Sequence, residues 1–209
     1  IGSYLGDGGL SSTNKACNSF RLAWTHGAAQ RDYCAWKANI LGGTLGDIAN
    51  NGYSGKSAVL GRSLVFQLLD TKLDKGGRWI KKSGIPKFML DSMDARALAI
   101  WAMDDGSGHF GSTGLNGFTF STNSFTENAV EALIELLLIK FDIVSNKFFH
   151  KGWSIRLNKD NAVKLRNIVA QHIHPDLCYK FGLVVTTPPV WDTTFTTTKT
   201  KVLRVEQIK

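Results

Sequence analysis

Two apolar runs, each closed by Asp-Gly, stand about a hundred residues apart: Ile1–Gly9 (IGSYLGDGG) and Leu98–Ser107 (LAIWAMDDGS). In the second, Leu98, Trp101 and Ala102 recur at helical spacing among the helix formers Ala95, Ala97 and Ala99. The pattern predicts a helix with Asp104 and Asp105 in its last turn and Gly106 as the C′ residue that stops it. The helix macrodipole disfavours carboxylates there by a few tenths to about 1 kcal/mol each. Acids at that end call for a compensating cation, and a divalent metal is the first candidate. The first run repeats the arrangement with one carboxylate, Asp7, followed by Gly8. A single Asp-Gly after an apolar run is usually a turn. Two copies with the same sequel point to a duplicated unit.

The sequel does repeat. Ser19–Thr25 alternates Phe20, Leu22 and Trp24 with polar or small residues, which predicts a strand. Gln30–Leu41 carries Tyr33, Trp36, Ile40 and Leu41 at helical spacing. A turn at Asn50–Gly52, a strand over Ala58–Val65 and a helix over Phe66–Asp74 follow. In the second half, Phe118–Thr122 alternates, and Thr126–Phe141 is the clearest helix, with a stripe of Val130, Leu133, Ile134, Leu137, Leu138 and Phe141. Trp153–Leu157 alternates again, and Asn161–His172 reads as a final helix. Each half therefore reads helix, two strands, helix, two strands, helix. The expected organisation is a half over residues 1–92, a half over 93–183 and a separate Thr/Pro-rich tail over 184–209.

The outward positions of the predicted sheets are Arg21, Thr25, Arg62, Ser63, Thr119, Ser121, Lys147, Ser154 and Arg156. A solvated face asks only for polar residues. Long donors interleaved with short hydroxyls also suit phosphates and base edges in a major groove, which admits a β-ribbon. Charge agrees with a polyanionic partner: the formal net charge is +8, and residues 1–92 hold twelve Lys/Arg against six Asp/Glu. At 43% apolar residues the chain can bury a core. It has no run of about 18 apolar residues, so no membrane partner is expected. Cys17, Cys34 and Cys178 are odd in number and lack CxxC spacing, which suggests free thiols in a reducing intracellular compartment. The five histidines show no nuclease-like or zinc-binding cluster. With six residues before Asp7 and no initiator Met, the chain reads as cut from something longer.

These residues resemble the LAGLIDADG homing endonucleases, most of all the single-chain, two-motif subgroup encoded in introns and inteins. The resemblance covers roughly residues 1–182. It rests on IGSYLGDGG and LAIWAMDDGS as signature helices, on DYCAWKANIL, on STNSFTENAVEAL and on IHPDLCYKF. Ser3 and Tyr4 depart from the aliphatics usual in the first signature. The tail lies outside the pattern, and its VLRVEQI is similar to the re-entry of an intein's splicing domain.

The resemblance implies an α+β fold, α/β in the broad sense, of two pseudo-symmetric αββαββα halves with saddle-shaped antiparallel DNA-binding sheets. The signature helices would pack at a pseudo-twofold axis, with Gly2 and Gly6 allowing close approach. Asp7 and Asp105 would meet there, with Gly6 and Asp104 beside them in the metal-binding set. Two nearby carboxylates repel unless metal ions lie between them, and hard oxygen ligands select Mg²⁺ or Mn²⁺. The family places a basic residue near each acid. Lys180 fits in the second half, and Lys82, ahead of Lys81, in the first. The implied activity is site-specific double-strand cleavage of a long double-stranded DNA target by a monomer. The alternatives are an RNA maturase that assists its own intron RNA, and a DNA-binding module that has lost cleavage.

Overall fold

Period-two alternation and glycine punctuation set the strands, and the two apolar runs set the axis. The structure, a computed structural model, describes residues 1–12, 20–49, 52–61 and 84–190. The first half runs α1 (Gly2–Leu5), β1 (Gly9–Ser12), β2 (Phe20–Gly27), α2 (Arg31–Ile40), β3 (Thr44–Ala49) and β4 (Gly52–Lys56). A short helix α3 (Lys87–Ser92) precedes the second half. That half runs α4 (Ala95–Asp105), β5 (Gly106–Gly111), β6 (Gly114–Ser121), α5 (Glu127–Phe141), β7 (Asn146–Phe149), β8 (Trp153–Leu157) and α6 (Lys159–Val169). Both sheets are antiparallel and share one topology, β1-β2-β4-β3 and β5-β6-β8-β7. This is the expected α+β architecture of two like halves. No helix among the described residues is long and apolar enough to cross a membrane.

The signature helices α1 and α4 pack against each other. A Cβ at Gly2 would lie 2.1 Å from the Ala97 carbonyl oxygen, and one at Gly6 would lie 2.4 Å from Asp104 Cβ. Neither site admits a side chain, so the glycines set the helix separation. The core spreads from this seam. Tyr4, Leu5, Leu98, Trp101, Phe118, Phe120 and Phe181 are all buried. Trp101 stacks on Phe120 at 4.2 Å between ring centroids, and Phe118 stacks on Phe181 at 5.3 Å. Each such side chain contributes about 1.5–3 kcal/mol on burial.

Several local expectations change. Gly106 is not a left-handed helix stop: it has φ −85° and ψ 150°, and α4 runs straight into β5. Glycine is required there for space, since a Cβ would lie 2.2 Å from the Ala102 carbonyl oxygen and 2.4 Å from the Phe118 ring. Of the strand expected over Ala58–Val65, residues 62–65 lie outside the described residues. The pair after α2 is β3 and β4, which end and begin at Ala49 and Gly52, and Ala58–Gly61 forms no strand. Glycine hides that pair from an alternation test. Gly55 in β4 lies against Trp24, where a Cβ would come within 2.4 Å of the indole nitrogen. Strands β1 and β5, the first of each expected pair, are likewise polar and glycine-bearing, so alternation gave them no range. In α5 the stripe rotates slightly: Leu138 is half exposed, whereas Leu136 is buried. The helix expected over Phe66–Asp74 lies outside the described residues.

The halves are also joined at α2. Its N-cap residue, Gln30, makes no side-chain capping bond. The Tyr33 N–H, in the first turn, instead donates to Asp176 Oδ2 at 2.9 Å. Asp176 lies in the 3₁₀ segment Pro175–Phe181 of the second half. The carboxylate thus caps a helix across the molecule and also faces its positive dipole end. Asp176→Ala is expected to cost about 1–2 kcal/mol, read as a lower urea midpoint at unchanged slope. An unchanged midpoint would show that water replaces the cap without loss. The tail is not wholly separate either, because Trp36 Nε1 donates to the Pro189 carbonyl at 3.0 Å.

Candidate active site

Helices α1 and α4 end side by side, and so bring their acids to one place. Asp7 lies just past Gly6, the C-cap of α1, and its side chain is 37% exposed. Asp104 lies in the last turn of α4, and its side chain is fully buried. The Asp7 N–H points at Asp104 Oδ2, 3.4 Å away. Asp105, the last residue of α4, is partly buried. By motif position Asp105 is the counterpart of Asp7, and Asp104 falls where the first run has Gly6.

A buried carboxylate at a helix C-terminus must be compensated, and the protein does this with its own cations. Lys37 Nζ, fully buried on α2, donates to Asp104 Oδ2 at 2.6 Å. Tyr33 OH, one turn earlier on the same helix, donates to Asp104 Oδ1 at 2.7 Å. Burial and the Asp104 charge push the Tyr33 phenol well above its ordinary range, so it remains a donor. Lys180 Nζ caps the end of α4, donating to the carbonyls of Met103 at 2.6 Å and Asp104 at 3.2 Å. Burial lowers the Lys180 pKa, and the charges of Asp104, Asp7 and Asp105 partly oppose that shift. For Asp104, then, the protein supplies a compensating cation of its own, the Lys37 ammonium group.

His26 closes the cluster. It sits at the end of β2 on the core face, with Nδ1 3.5 Å from Asp7 Oδ2 and Nε2 3.5 Å from Lys37 Nζ. Burial first, then the Lys37 charge, lower its pKa to about 4. The imidazole is therefore neutral at neutral pH. A ring nitrogen facing an ammonium accepts from it, which leaves the proton on Nδ1, toward Asp7. One ligand atom each from Asp7, His26 and Asp104 lies within 4.8 Å of the others. Of the two carboxylates in that group, Asp104 is buried and bonded to Lys37 and Tyr33, whereas the Asp7 side chain reaches solvent.

The cross-strand ladders fix which residues share the outer sheet faces. On the first sheet Arg21 pairs with Ser11, and Thr25 with Ser54, opposite the face of Leu22 and Trp24. On the second sheet Thr119 pairs with Ser107 and Arg156, Ser121 with Ser154, and Arg156 with Asn146. Arg156 lies over the Phe148 ring at 4.5 Å, and His109 Nε2 meets Thr119 Oγ1 at 2.7 Å. Ser154 shares this face but is only 8% exposed.

Lys147 is a correction. It pairs with Ile155, so it lies on the helix side of the sheet, where Glu127 and Glu131 of α5 hold its ammonium group. The alternation test fails because β7 is an edge strand one residue out of step with the assumed register. Arg62, Ser63, Lys81 and Lys82 lie outside the described residues. Lys37, Tyr33, His26 and Asp176 were not expected at the site. One signal was present: Lys37 falls on the apolar stripe of its helix, a position where lysine requires a buried carboxylate.

A sequence model of the LAGLIDADG DNA endonuclease family matches residues 1–165. The chain belongs to that family. Among curated relatives, an intron-encoded endonuclease, ai4 of Dictyostelium discoideum, is 39% identical over 94 residues, 44% of this chain and 56% of that protein. Protein RecA of Mycolicibacterium flavescens is 28% identical over 199 residues, 86% of this chain and 44% of that protein. The chain thus spans about half the length of the curated relatives it matches. A solved structure, the homing endonuclease I-WcaI bound to its DNA recognition sequence, shares the fold. It gives a TM-score of 0.68 over 88% of this chain and 84% of that chain, at 22% identity.

Proposed function

We propose that this chain is a site-specific homing endonuclease. It makes a double-strand break in a long DNA target by metal-dependent phosphodiester hydrolysis, and it acts as a monomer because both halves lie on one chain. The observation that carries this is the seam of α1 and α4, which sets Asp7, Asp105 and the Lys180 ammonium at the shared end of two glycine-packed helices. Asp7 and Asp105 are the residues that would hold Mg²⁺ or Mn²⁺. Hard carboxylate oxygens, one of them on a side chain open to solvent, suit such ions. When bound, the metal supplies an acidified water and neutralises the leaving oxygen.

The protein's own residues do the rest. Asp104 is held by Lys37 and Tyr33, one on each oxygen, which fixes its carboxylate beside Asp7. Lys180 carries positive charge beside both acids, where it offsets charge that builds on the phosphate. Its two bonds to helix carbonyls fix its reach. The outer sheet faces supply the DNA contacts. Arg21, Thr25, Thr119, Ser121 and Arg156 are placed to meet phosphates and base edges in successive major grooves. The excess of basic residues in the first half adds sequence-independent attraction.

The test is cleavage of a plasmid library carrying randomised sites about two helical turns long. Linear product is expected with Mg²⁺ or Mn²⁺, always at one related set of sequences, and none with EDTA. Absence of cleavage with either metal, together with rescue of splicing of a host intron RNA, would favour the maturase alternative.

A further inference from the structure

The two signature helices end in unlike surroundings. Asp104 occupies the place that Gly6 holds in the first run. The residues that bond the Asp104 carboxylate come from the first half, and their counterparts in the second half cannot repeat them. Tyr33 and Lys37 are the third and seventh residues of α2. The third and seventh residues of α5 are Ala129 and Leu133, both buried and apolar. His26 follows Trp24 by two along β2, and Thr122 follows Phe120 by two at the end of β6. The Thr122 hydroxyl donates to the Trp153 carbonyl at 2.8 Å. The buried polar cluster therefore lies on one side of the pseudo-twofold axis.

From there it reaches Asp7 twice. Asp104 Oδ2 faces the Asp7 backbone N–H at 3.4 Å, and His26 Nδ1 faces the Asp7 carboxylate at 3.5 Å. Both groups are themselves fixed by Lys37, whose side chain is wholly enclosed. A fully engaged buried network rigidifies what it touches.

We infer that Asp104, Lys37 and His26 are positioning residues for Asp7, so that one of the two strand cleavages depends on this cluster and the other does not. This rests on the endonuclease reading above. The cluster touches no substrate atom. It acts by fixing the direction of the Asp7 carboxylate at the seam. A small misplacement of a reacting group far outweighs the contact that was lost.

The experiment is single-turnover cleavage of a target selected from the library, with the two strands carrying different fluorescent labels. The variant is Asp104→Asn/Lys37→Met, which keeps side-chain volume and leaves no unpaired charge. The ratio of the two strand rates is expected to shift at least tenfold, and circles nicked in a single strand accumulate. DNA affinity, measured with Ca²⁺ in place of Mg²⁺, stays within threefold. His26→Ala shifts the ratio in the same direction, and His26→Asn, which restores a donor toward Asp7, brings it back. A double variant that slows both strands by one factor, or neither strand, overturns the inference. A wild-type chain that cuts no DNA with Mg²⁺ or Mn²⁺ instead defeats the endonuclease reading, so the two failures are distinct.

Discussion

Asp7→Asn and Asp105→Asn should each abolish double-strand cleavage while leaving DNA affinity within about tenfold, because phosphate contacts carry most of that affinity. The amide keeps the shape of the side chain but removes the anionic ligand that a hard divalent ion requires. Neither change disturbs the seam, since the helices are separated by Gly2 and Gly6 and not by the acids. The measurement is linear product formed with Mg²⁺, alongside binding by anisotropy with Ca²⁺. If Asp7→Asn cut at the wild-type rate, Asp7 would have no part in the chemistry. If Asp105→Asn did so, Asp105 would drop out and Asp104 would have to be reconsidered.

Lys37→Met is expected to be the most destabilising change at the site. It leaves the Asp104 carboxylate charged, fully buried and held by Tyr33 alone among the two close donors. Removing one partner of a buried ion pair costs about 3–5 kcal/mol. For a chain of this size that corresponds to a fall in melting temperature of roughly 6–20 °C. Adding Asp104→Asn should recover most of the loss, because the uncompensated charge goes with it. Thermal unfolding of the single and double variants checks both statements. A single variant as stable as wild type would mean that the pair does not exist in solution.

Legibility in the sequence followed periodicity. The Trp153–Leu157 strand and the Glu127–Phe141 helix match their patterns because apolar side chains there repeat with the period of the element. Strands β3 and β4 do not, because glycines such as Gly55 stand where a neighbour's ring fills the space. Gly106 was legible as a required glycine, but for the wrong reason: its backbone is extended and the constraint is crowding. At the site, the acids were visible because they close two similar runs. The cations that hold Asp104 were not, since Lys37 is 67 residues away in sequence and nothing local reveals its partner. Lys147 failed for the opposite reason, since a basic residue on an edge strand reads as outward until its register is known.

The bond between Tyr33 and Asp176 spans 143 residues. It bears on how the protein comes to exist in a cell. A nascent chain that has just completed α2 holds a helix with an uncapped end, a buried-type lysine with no carboxylate, and one acid of a pair. Asp104 and Asp176, which complete them, emerge only later. At about 5–20 residues per second, those 143 residues take roughly 7–30 s to synthesise. During that interval the first half lacks Asp104, Asp105 and Lys180, so the candidate site is incomplete. On the endonuclease reading, a chain cut short before Asp176 holds the first acid without its partners and is expected to be inactive.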